Sequence, residues 1–291
     1  MTGSPDIVVR VAERLELAEE WALVLAAQEL SPSVRRIPEG FGVCVPLDQV
    51  ERAASVLSAY EGENRKPESP REEARASSGH AGAGLIVSCA LLAFFLVTRP
   101  RGAEVPWFER GSADAERILH GELWRTVTAL TLHADLGHVL ANALAGALFL
   151  GAVCAALGPG LGLALVLLSG ASGNLVNALV QGSDRVSVGA STAVFGAVGL
   201  LSGLGVAQRR RRSRERRVWL PLAAGLAILA MLGTAGARVD PWAHLFGLLA
   251  GAALGIPVGF AVSRPPEAGV QWVLGATAIA ALLYSWARAL H

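Results

Sequence analysis

Four polar side chains of types that take part in nucleophilic catalysis lie within otherwise apolar stretches. Ser191 lies in "VSVGASTAVFGAVGLL", His244 in "AHLFGLLAG", and His138 and Asn142 in "HADLGHVLAN". A serine hydroxyl becomes an effective nucleophile when a neutral imidazole within hydrogen-bond reach takes its proton. The residue types therefore predict a catalytic pair formed by Ser191 and His244.

His138 and Asn142 are suited to stabilising the product of such an attack. A carbonyl attacked by serine develops negative charge on its oxygen, which needs preorganised donors. Residues four positions apart project from one face of a helix, so both side chains point toward one place. We expect the His138 ring, the Asn142 amide and the Ser191 backbone N–H to form an oxyanion hole. Because no carboxylate lies inside an apolar stretch, the predicted unit is a dyad rather than a Ser-His-Asp triad.

Other functions remain open for these residues when each is taken alone. A hydroxyl in a membrane helix often bonds its own backbone, and a histidine or asparagine often joins two helices. A metal site built from His133, His138 and His244 needs a fourth ligand, and none is evident. A transporter or proton relay is typical of sequences with charges within the spans or with inverted repeats. This sequence has no charge within a span and no clear repeat, which disfavours that function. We expect no metal, no cofactor and no nucleic-acid partner.

The composition predicts that membrane helices position these side chains. The chain of 291 residues is 53% hydrophobic and only 17% charged, against roughly 25% charged in soluble domains. A helix needs about 20 apolar residues to cross a bilayer. Seven stretches qualify: 81–98, 136–157, 160–181, 188–207, 219–237, 241–262 and 269–287. The sequence "GPG" at 158–160 is the predicted turn between the second and third.

The charge pattern predicts an orientation in the membrane. The loop "QRRRRSRERR" between the fourth and fifth spans carries seven arginines, which the positive-inside rule assigns to the cytoplasm. Counting from this loop places the N-terminus in the cytoplasm and the C-terminus and the 101–135 segment outside. Ser191, His244 and the His138 helix face then all lie near the outer ends of their spans. Without a cleaved signal peptide, we expect a multi-pass protein of a bacterial plasma membrane.

The N-terminal part has a different character and predicts a separate domain. The stretch "DIVVRVA" alternates like a strand, "VRRIPEGFGVCVP" predicts a hairpin around Gly40, and two amphipathic helices flank that hairpin. We therefore expect a small βαββα domain over 1–60 and a flexible linker over 61–80. A core follows over 81–262, with an additional C-terminal helix over 263–291.

Small and aromatic residues near the candidate pair predict close helix packing. Gly189 on the fourth span, and Gly247 with Gly251 on the sixth, allow backbones to approach closely. Phe195 lies one helical turn after Ser191, so we expect its ring to stack against His244.

Four sequence elements together resemble those of rhomboid intramembrane serine proteases. "GASTAVFG" resembles their G-x-S-G-x-x-F-G element, and "HADLGHVLAN" their H-x-x-x-x-H-x-x-x-N element. "LWR" is similar to their Trp-Arg in the first outer loop, and "AHLFGLLAG" to their A-H-x-x-G-x-x-x-G. The elements occur in the family's order over residues 81 to 262.

The resemblance implies an all-α polytopic membrane protein with a six-helix rhomboid core and, here, a seventh C-terminal helix. It implies a dyad of Ser191 and His244, with His138 and Asn142 helping to form the oxyanion hole. The implied activity is that of an intramembrane serine endopeptidase. Its partners are the lipid bilayer and transmembrane proteins, cleaved near the outer ends of their spans and often beside small residues.

The resemblance also assigns supporting positions. It implies that His133 lies near the rim of the site, and that Trp124 and Arg125 belong to a partly membrane-embedded loop that supports the core. Two residues depart from the family pattern: Thr192 and Phe246 stand where glycine is usual. We expect each to add bulk beside the site. The alternative function is therefore a catalytically weak or inactive rhomboid-fold protein that binds membrane helices.

Overall fold

The computed structural model of the protein describes residues 6–63, 70–98, 106–182, 185–211, 219–232 and 240–291. The chain divides into two compact units, Met1–Arg71 and Glu72–His291. Each unit has its own core, so each is described by itself.

The first unit is a three-stranded antiparallel sheet with two helices. Its elements are β1 (Asp6–Ala12), α1 (Leu15–Ala27), β2 (Ser33–Ile37), β3 (Gly40–Pro46) and α2 (Val50–Glu63), with sheet order β1-β3-β2. Gly40 has a φ of 141° in the turn between β2 and β3, a backbone conformation that glycine adopts readily and other residues rarely. Buried side chains from both helices and the sheet, among them Leu25, Val43 and Leu57, form one core. The predicted βαββα order is confirmed.

The predicted linker over 61–80 differs from the structure at both ends. Helix α2 continues to Glu63, and α3 (Pro70–Thr98) begins well before the apolar stretch. Proline is favourable in the first turn of a helix, and the sequence "REEARA" that follows is rich in helix-forming residues. These local preferences outweigh the polar composition on which the linker prediction rested. Residues 64–69 of the predicted linker lie outside the described residues.

The second unit is helical and spans a membrane. Its long apolar helices are α7 (Leu136–Leu157), α8 (Pro159–Gln181), α9 (Ser191–Arg211), α11 (Pro241–Ala261) and α12 (Ala268–Leu290). Shorter apolar helices cover Gly82–Thr98, within α3, and Leu220–Met231, within α10 (Leu220–Leu232). Each of the seven predicted stretches thus contains an apolar helix, and residues 233–237 of the fifth lie outside the described part of the chain. The all-α polytopic fold with a small α/β domain is confirmed.

The long apolar run from Leu136 to Gln181 is divided where the sequence predicts. Gly158 ends α7 with a φ of 85°, and Pro159 is the first residue of α8, the positions that these residue types favour. Gln271 of α12 joins the two helix ends. Its Nε2 donates to the carbonyl of Leu157 at 2.8 Å, and its Oε1 accepts from the N–H of Leu161 at 3.0 Å.

Helix α9 packs against α7, α8, α10 and α11 and is the most buried of the long apolar helices. Its contact with α11 is a close approach of backbones. A Cβ added to Gly251 would collide with the carbonyl of Gly196, and one added to Gly247 would collide with the carbonyl of Thr192. The small residues predicted to allow this approach are therefore required by the packing.

The segment between α3 and α7 folds into short elements that pack on the bundle. They are α4 (Trp107–Gly111), β4 (Ala113–Asp114), α5 (Ala115–Leu119), α6 (Arg125–Thr128) and a 3-10 turn (Ala129–Thr131). Strand β4 pairs with β5 (Val186–Ser187), which lies just before α9. Several of these residues are buried, with Ile118 and Ala129 packing against Ala178 of α8. The segment therefore connects directly to the start of α9.

Candidate active site

Helix α9 begins at Ser191 rather than at residue 188, where the apolar pattern begins. The cause is Gly189, which takes a φ of 128° and donates its N–H to the carbonyl of Ala129 at 2.9 Å. Gly189 was expected on the fourth span, where it would let His244 approach. It instead precedes the helix and faces His138 and Asn142 of α7. Ser191 consequently lies in the first turn of α9, at the positive end of the helix dipole.

Ser191, His244, His138 and Asn142 line one cavity of about 1430 Å³. Four elements deliver these residues and the backbone beside them: α7, α9, α11 and the 185–190 segment. The cavity continues along α7 to Leu144 and Leu148, which are 77% and 64% exposed on the outside of the bundle. It therefore extends from polar side chains to an apolar, outward-facing surface.

His138 and Asn142 converge on the backbone just before Ser191. A Cβ placed on Gly189 would lie 2.6 Å from Nε2 of His138 and 3.4 Å from Nδ2 of Asn142. This Nδ2 atom is buried and has no hydrogen-bond partner among the described residues. Leaving a buried donor unpaired costs about 1–3 kcal/mol. Asn142 therefore offers a donor that a bound oxygen atom can satisfy.

His244 is held in the first turn of α11 with its ring against Phe195. The two ring centroids are 4.7 Å apart at an interplanar angle of 31°, and His244 is buried. The contact predicted between Phe195 and His244 is thus present. Asp240 caps the helix by accepting a hydrogen bond from the N–H of Ala243 at 3.1 Å.

His133 is fully buried beside the cavity: Ala134 and His138 line the cavity, whereas His133 itself does not. Its Nε2 accepts a hydrogen bond from the N–H of Ala190 at 3.4 Å, and its ring lies edge-on to that of His138 at 5.2 Å. Burial, together with the neighbouring charge of His138, lowers the pKa of His133 to about 4. The ring is therefore neutral at pH 7, so its Nε2 carries no proton and can accept this hydrogen bond.

Arg125 ties the short elements before α7 together. Its side chain is buried, with Nε donating to the carboxylate of Glu122 at 2.5 Å. Its Nη1 donates to the carbonyls of Glu109 at 2.9 Å and Ser112 at 3.1 Å. Trp124 packs beside it under the guanidinium of Arg288, which lies 5.3 Å from the ring centroid. Neither Trp124 nor Arg125 lines the cavity.

Thr192, expected to add bulk beside the site, is accommodated by glycines on two neighbouring helices. A Cβ added to Gly173 of α8 would lie 2.7 Å from the Thr192 methyl group, and one added to Gly247 would lie 3.1 Å from it. Phe246, the other departure, does not line the cavity. Its ring stacks on Trp242 at 6.0 Å, so its expected bulk lies away from the site.

Sequence reasoning missed a polar network on the cavity wall. Asp240 lines the cavity and accepts hydrogen bonds from Nδ2 of Asn177 at 2.8 Å and Nε2 of Gln181 at 3.3 Å. Asn174 also lines the cavity, and its Nδ2 donates to the carbonyl of Thr126 at 2.9 Å. Asp240 followed by Pro241, at the start of the sixth apolar stretch, is a sequence signal for the beginning of a helix. No comparable signal marks the asparagines of α8.

Within the described ranges, no group of three or more His, Cys, Asp or Glu residues is placed to hold a metal ion.

Comparison with known proteins gives the same family as the sequence elements. The family profile of the Rhomboid domain matches residues 120–260. The chain is 29% identical over 167 residues to YdcA of Bacillus subtilis (strain 168), which bears the name of a rhomboid protease. The aligned residues cover 57% of this chain and 82% of YdcA.

Two other relatives are matched over a smaller part of their own length. Rhomboid-like protease 3 of Toxoplasma gondii is 34% identical over 149 residues, 50% of this chain and 55% of that protein. Rhomboid protease GluP of Bacillus subtilis (strain 168) is 31% identical over 179 residues, 60% of this chain and 34% of that protein. The residues that the profile matches include every side chain assigned to the cavity above, and residues 120–260 of the chain form a Rhomboid domain.

Proposed function

We propose that this protein is an intramembrane serine endopeptidase in which Ser191 is the nucleophile and His244 the general base and acid. The observation that carries the proposal is the shared cavity. Ser191, His244, His138 and Asn142 line it together, and Nδ2 of Asn142 has no hydrogen-bond partner in the described part of the chain. Membership of a family that includes named rhomboid proteases supports the same activity.

The proposed reaction has two halves. The Oγ of Ser191 attacks the carbonyl carbon of the scissile peptide bond while His244 takes the hydroxyl proton, and a tetrahedral oxyanion forms. The C–N bond then breaks, His244 protonates the departing amine, and an acyl ester remains on Ser191. Water, deprotonated by His244, attacks the ester, and the carboxylate product leaves as Ser191 regains its proton.

The oxyanion is stabilised by groups that converge on the start of α9. Nδ2 of Asn142, the ring of His138 and the backbone N–H of Ser191 are the donors. The positive end of the α9 dipole adds to them, since an anion is favoured at a helix N-terminus. These groups are fixed before substrate binds, which is the condition under which they lower the barrier most.

The substrates that fit this cavity are transmembrane segments of other proteins. The apolar part of the cavity, with Leu144 and Leu148 facing outward, suits an apolar helix approaching through the lipid. Its polar part at Ser191 supplies the water and the donors that hydrolysis needs. We infer cleavage near the end of the substrate span that lies level with Ser191, often beside small residues, as the resemblance to the family implies.

The proposed orientation places the site on the outer side of a bacterial plasma membrane. Arg209, Arg210 and Arg211 are the last residues of α9, whereas Ser191 is the first. Cytoplasmic arginines therefore put Ser191 at the opposite face. Reaction of cysteines introduced near Ser191 and near Arg211 with a membrane-impermeant maleimide, in intact cells, tests this orientation. Labelling near Arg211 alone would reverse it.

The test of the proposed activity is cleavage of a model transmembrane substrate by protein reconstituted in liposomes. We expect Ser191→Ala and His244→Ala to lose cleavage by many orders of magnitude, because each removes a member of one catalytic unit. Ser202→Ala on α9, whose hydroxyl bonds only the Val198 carbonyl among the described residues, and His120→Ala are matched controls that should cleave normally. Cleavage by the Ser191→Ala variant would contradict the proposal. Substrate binding without cleavage by the wild type would favour the alternative of an inactive helix-binding protein.

A further inference from the structure

The seventh helix, α12, contacts a short segment that leads into the active site. This segment, residues 129–133, comprises the 3-10 turn Ala129–Thr131 followed by Leu132 and His133. Nε1 of Trp286 donates a hydrogen bond to Oγ1 of Thr131 at 3.2 Å. Leu132 is fully buried in a cluster with Trp286 and Ala289 of α12. One side of the 129–133 segment is therefore set by α12.

The other side of the 129–133 segment binds the two residues that directly precede Ser191. The carbonyl of Ala129 accepts the N–H of Gly189 at 2.9 Å, and Nε2 of His133 accepts the N–H of Ala190 at 3.4 Å. The segment thus lies between α12 and the backbone that presents the nucleophile. A displacement of the segment shifts both acceptors at once.

Trp286 is fixed where it meets the segment. Its ring centroid lies 5.4 Å from that of Phe94 and 5.3 Å from that of Trp107. A Cβ on Gly111 would lie 2.6 Å from the Trp286 ring, so only glycine leaves room for it. The side chain is 9% exposed, whereas Trp272 on the same helix is 80% exposed. Both tryptophans lie near ends of the apolar stretch 269–287, where tryptophan rings commonly lie at the level of the lipid headgroups. Trp286 is instead packed inside the protein.

We propose that α12 is a positioning element of the active site and that Trp286 is its positioning residue. Through Thr131, Trp286 holds the 129–133 segment, which in turn holds the Gly189 and Ala190 amides and so the place of Ser191. The inference rests on the proposed proteolytic function and gives the helix beyond the six-helix core a role in it. Neither Trp286 nor Thr131 lines the cavity, so neither is assigned any contact with substrate.

The proposal predicts a specific kinetic signature. Catalytic geometry is sensitive to displacements well below 1 Å at the nucleophile, whereas substrate binding depends on the cavity walls. Loss of the Trp286 hydrogen bond should therefore lower kcat and leave KM unchanged. A purely structural role would lower the amount of folded protein and leave both constants of the folded fraction unchanged.

The decisive comparison is Trp286→Phe against Trp272→Phe, the same substitution at two places on α12. Trp286→Phe keeps an aromatic ring in the cluster and deletes the N–H. We expect kcat to fall roughly three- to tenfold, the effect of one hydrogen bond, with KM unchanged. Labelling of Ser191 by a fluorophosphonate probe should slow by a similar factor. Trp272→Phe should match the wild type in both measurements.

Substitutions at Thr131 test the same bond from its other end. Thr131→Val removes the acceptor in a side chain of the same shape, together with the hydrogen bond that the Thr131 hydroxyl donates to the carbonyl of Thr128 at 2.8 Å. Thr131→Ser keeps the hydroxyl. We expect Thr131→Val to lower kcat at least as much as Trp286→Phe, and Thr131→Ser to restore most of kcat. The double variant Thr131→Val with Trp286→Phe should be no slower than Thr131→Val alone, because the Trp286 bond is already absent there.

The failure of this inference is distinguishable from the failure of the proposed function. A Trp286→Phe variant whose kcat and labelling rate equal those of the wild type, or Thr131→Val effects that add to it, overturns the positioning role alone. A wild-type protein that neither cleaves substrate nor reacts with the fluorophosphonate at Ser191 overturns both. A wild type that is labelled without cleaving substrate still tests the positioning role through the labelling rates.

Discussion

At the scale of single residues, the site is defined by donors and acceptors whose surroundings give each a distinct task. Asn142 keeps an amide donor unpaired among the described residues, and His133 keeps an acceptor nitrogen on the Ala190 N–H. Thr192 fills a gap between helices with its methyl group. Each of these roles predicts a different measurement.

Asn142→Ala removes one proposed oxyanion donor. We expect kcat to fall about 10²- to 10³-fold, with KM changed far less, because the donor acts on charge that develops only in the transition state. Ser88→Ala is the control. Its hydroxyl donates to the carbonyl of Ala143 at 2.6 Å, next to Asn142 but away from the cavity lining. Equal kcat values for the two variants would exclude Asn142 from the oxyanion hole.

Thr192→Gly restores the residue that is usual at this position in the resembled family. Because the methyl group packs against Gly173 and Gly247, we expect a loss of about 1–2 kcal/mol in stability, from the void and from glycine in a helix. We expect no gain in kcat. Thermal unfolding in detergent and the cleavage assay measure the two effects. Thr192→Ser, which loses only the methyl group, should lie between the wild type and Thr192→Gly in stability. A faster Thr192→Gly enzyme would show that the methyl group restricts the cleft.

His133 should make stability depend on pH. Its pKa is lowered by burial from 6.5 to about 4, so between these values the unfolded chain binds a proton that the folded protein does not. The unfolding free energy therefore decreases as pH falls from 6.5 toward 4. His133→Gln, which keeps an acceptor, should lose this part of the dependence. Unfolding temperatures measured across this pH range check the prediction. His120→Gln is the control, because His120 is an exposed histidine between α5 and α6. Identical slopes for the wild type and His133→Gln would contradict the assignment.

At the scale of elements, the contact between α9 and α11 brings Ser191 and His244 to the same cavity. The two helices approach along a line of glycines, and the carbonyls of Thr192 and Gly196 occupy the space that side chains would need. Capping aids this arrangement, since Asp240 begins α11 just before His244. The proposed dyad therefore depends on the backbone packing of α9 against α11.

Gly251→Ala tests this helix contact. The added Cβ would collide with the Gly196 carbonyl and lie 2.9 Å from the backbone nitrogen of Leu200. We expect a loss of about 1–3 kcal/mol from overpacking, together with lower kcat as α11 moves away from α9. Gly269→Ala on α12 is the matched control, because nothing lies within 4 Å of the added Cβ. Its unfolding temperature should equal or exceed that of the wild type. If both variants were equally stable, close approach of the backbones would not be required.

At the scale of the whole molecule, two units with separate cores share one chain. The unit Met1–Arg71 encloses its own cluster of buried residues, including Leu25 and Leu57, which are fully buried. The candidate site is built entirely from residues of Glu72–His291. Because each unit has its own core, we expect the two units to respond separately to substitution.

Leu57→Ala should therefore unfold the first unit without stopping cleavage. Removing a fully buried leucine side chain costs about 2–5 kcal/mol, a large share of the stability of so small a unit. Limited proteolysis of residues 6–63 measures its unfolding, and the cleavage assay measures the membrane unit. Leu23→Ala, at a position that is 72% exposed, is the control and should change neither. Loss of cleavage in Leu57→Ala alone would show that the first unit acts on the site.

The sequence was sufficient for the features that depend on local pattern. The length of each apolar stretch, the "GPG" turn and the alternation in the first unit predict helices, a break and a sheet, because these follow from neighbours along the chain. The same holds for the four spaced elements that identify the family and nominate Ser191, His244, His138 and Asn142. The sequence shows the spacing of these four elements, whereas the structure shows that the four side chains line one cavity.

Tertiary structure alone decided the features that depend on how helices rotate and pack. Gly189 leaves the helix because its N–H pairs with Ala129, sixty positions away in the chain. His133 is fully buried, with its Nε2 on the N–H of Ala190 and its ring against that of His138. Thr192 fits because α8 presents Gly173 to its methyl group. No pattern along one helix specifies which partner will face it, since every helix in the bundle contributes to that choice. For this reason the sequence could identify the candidate catalytic residues, whereas the structure was needed to find the residues that pack around them.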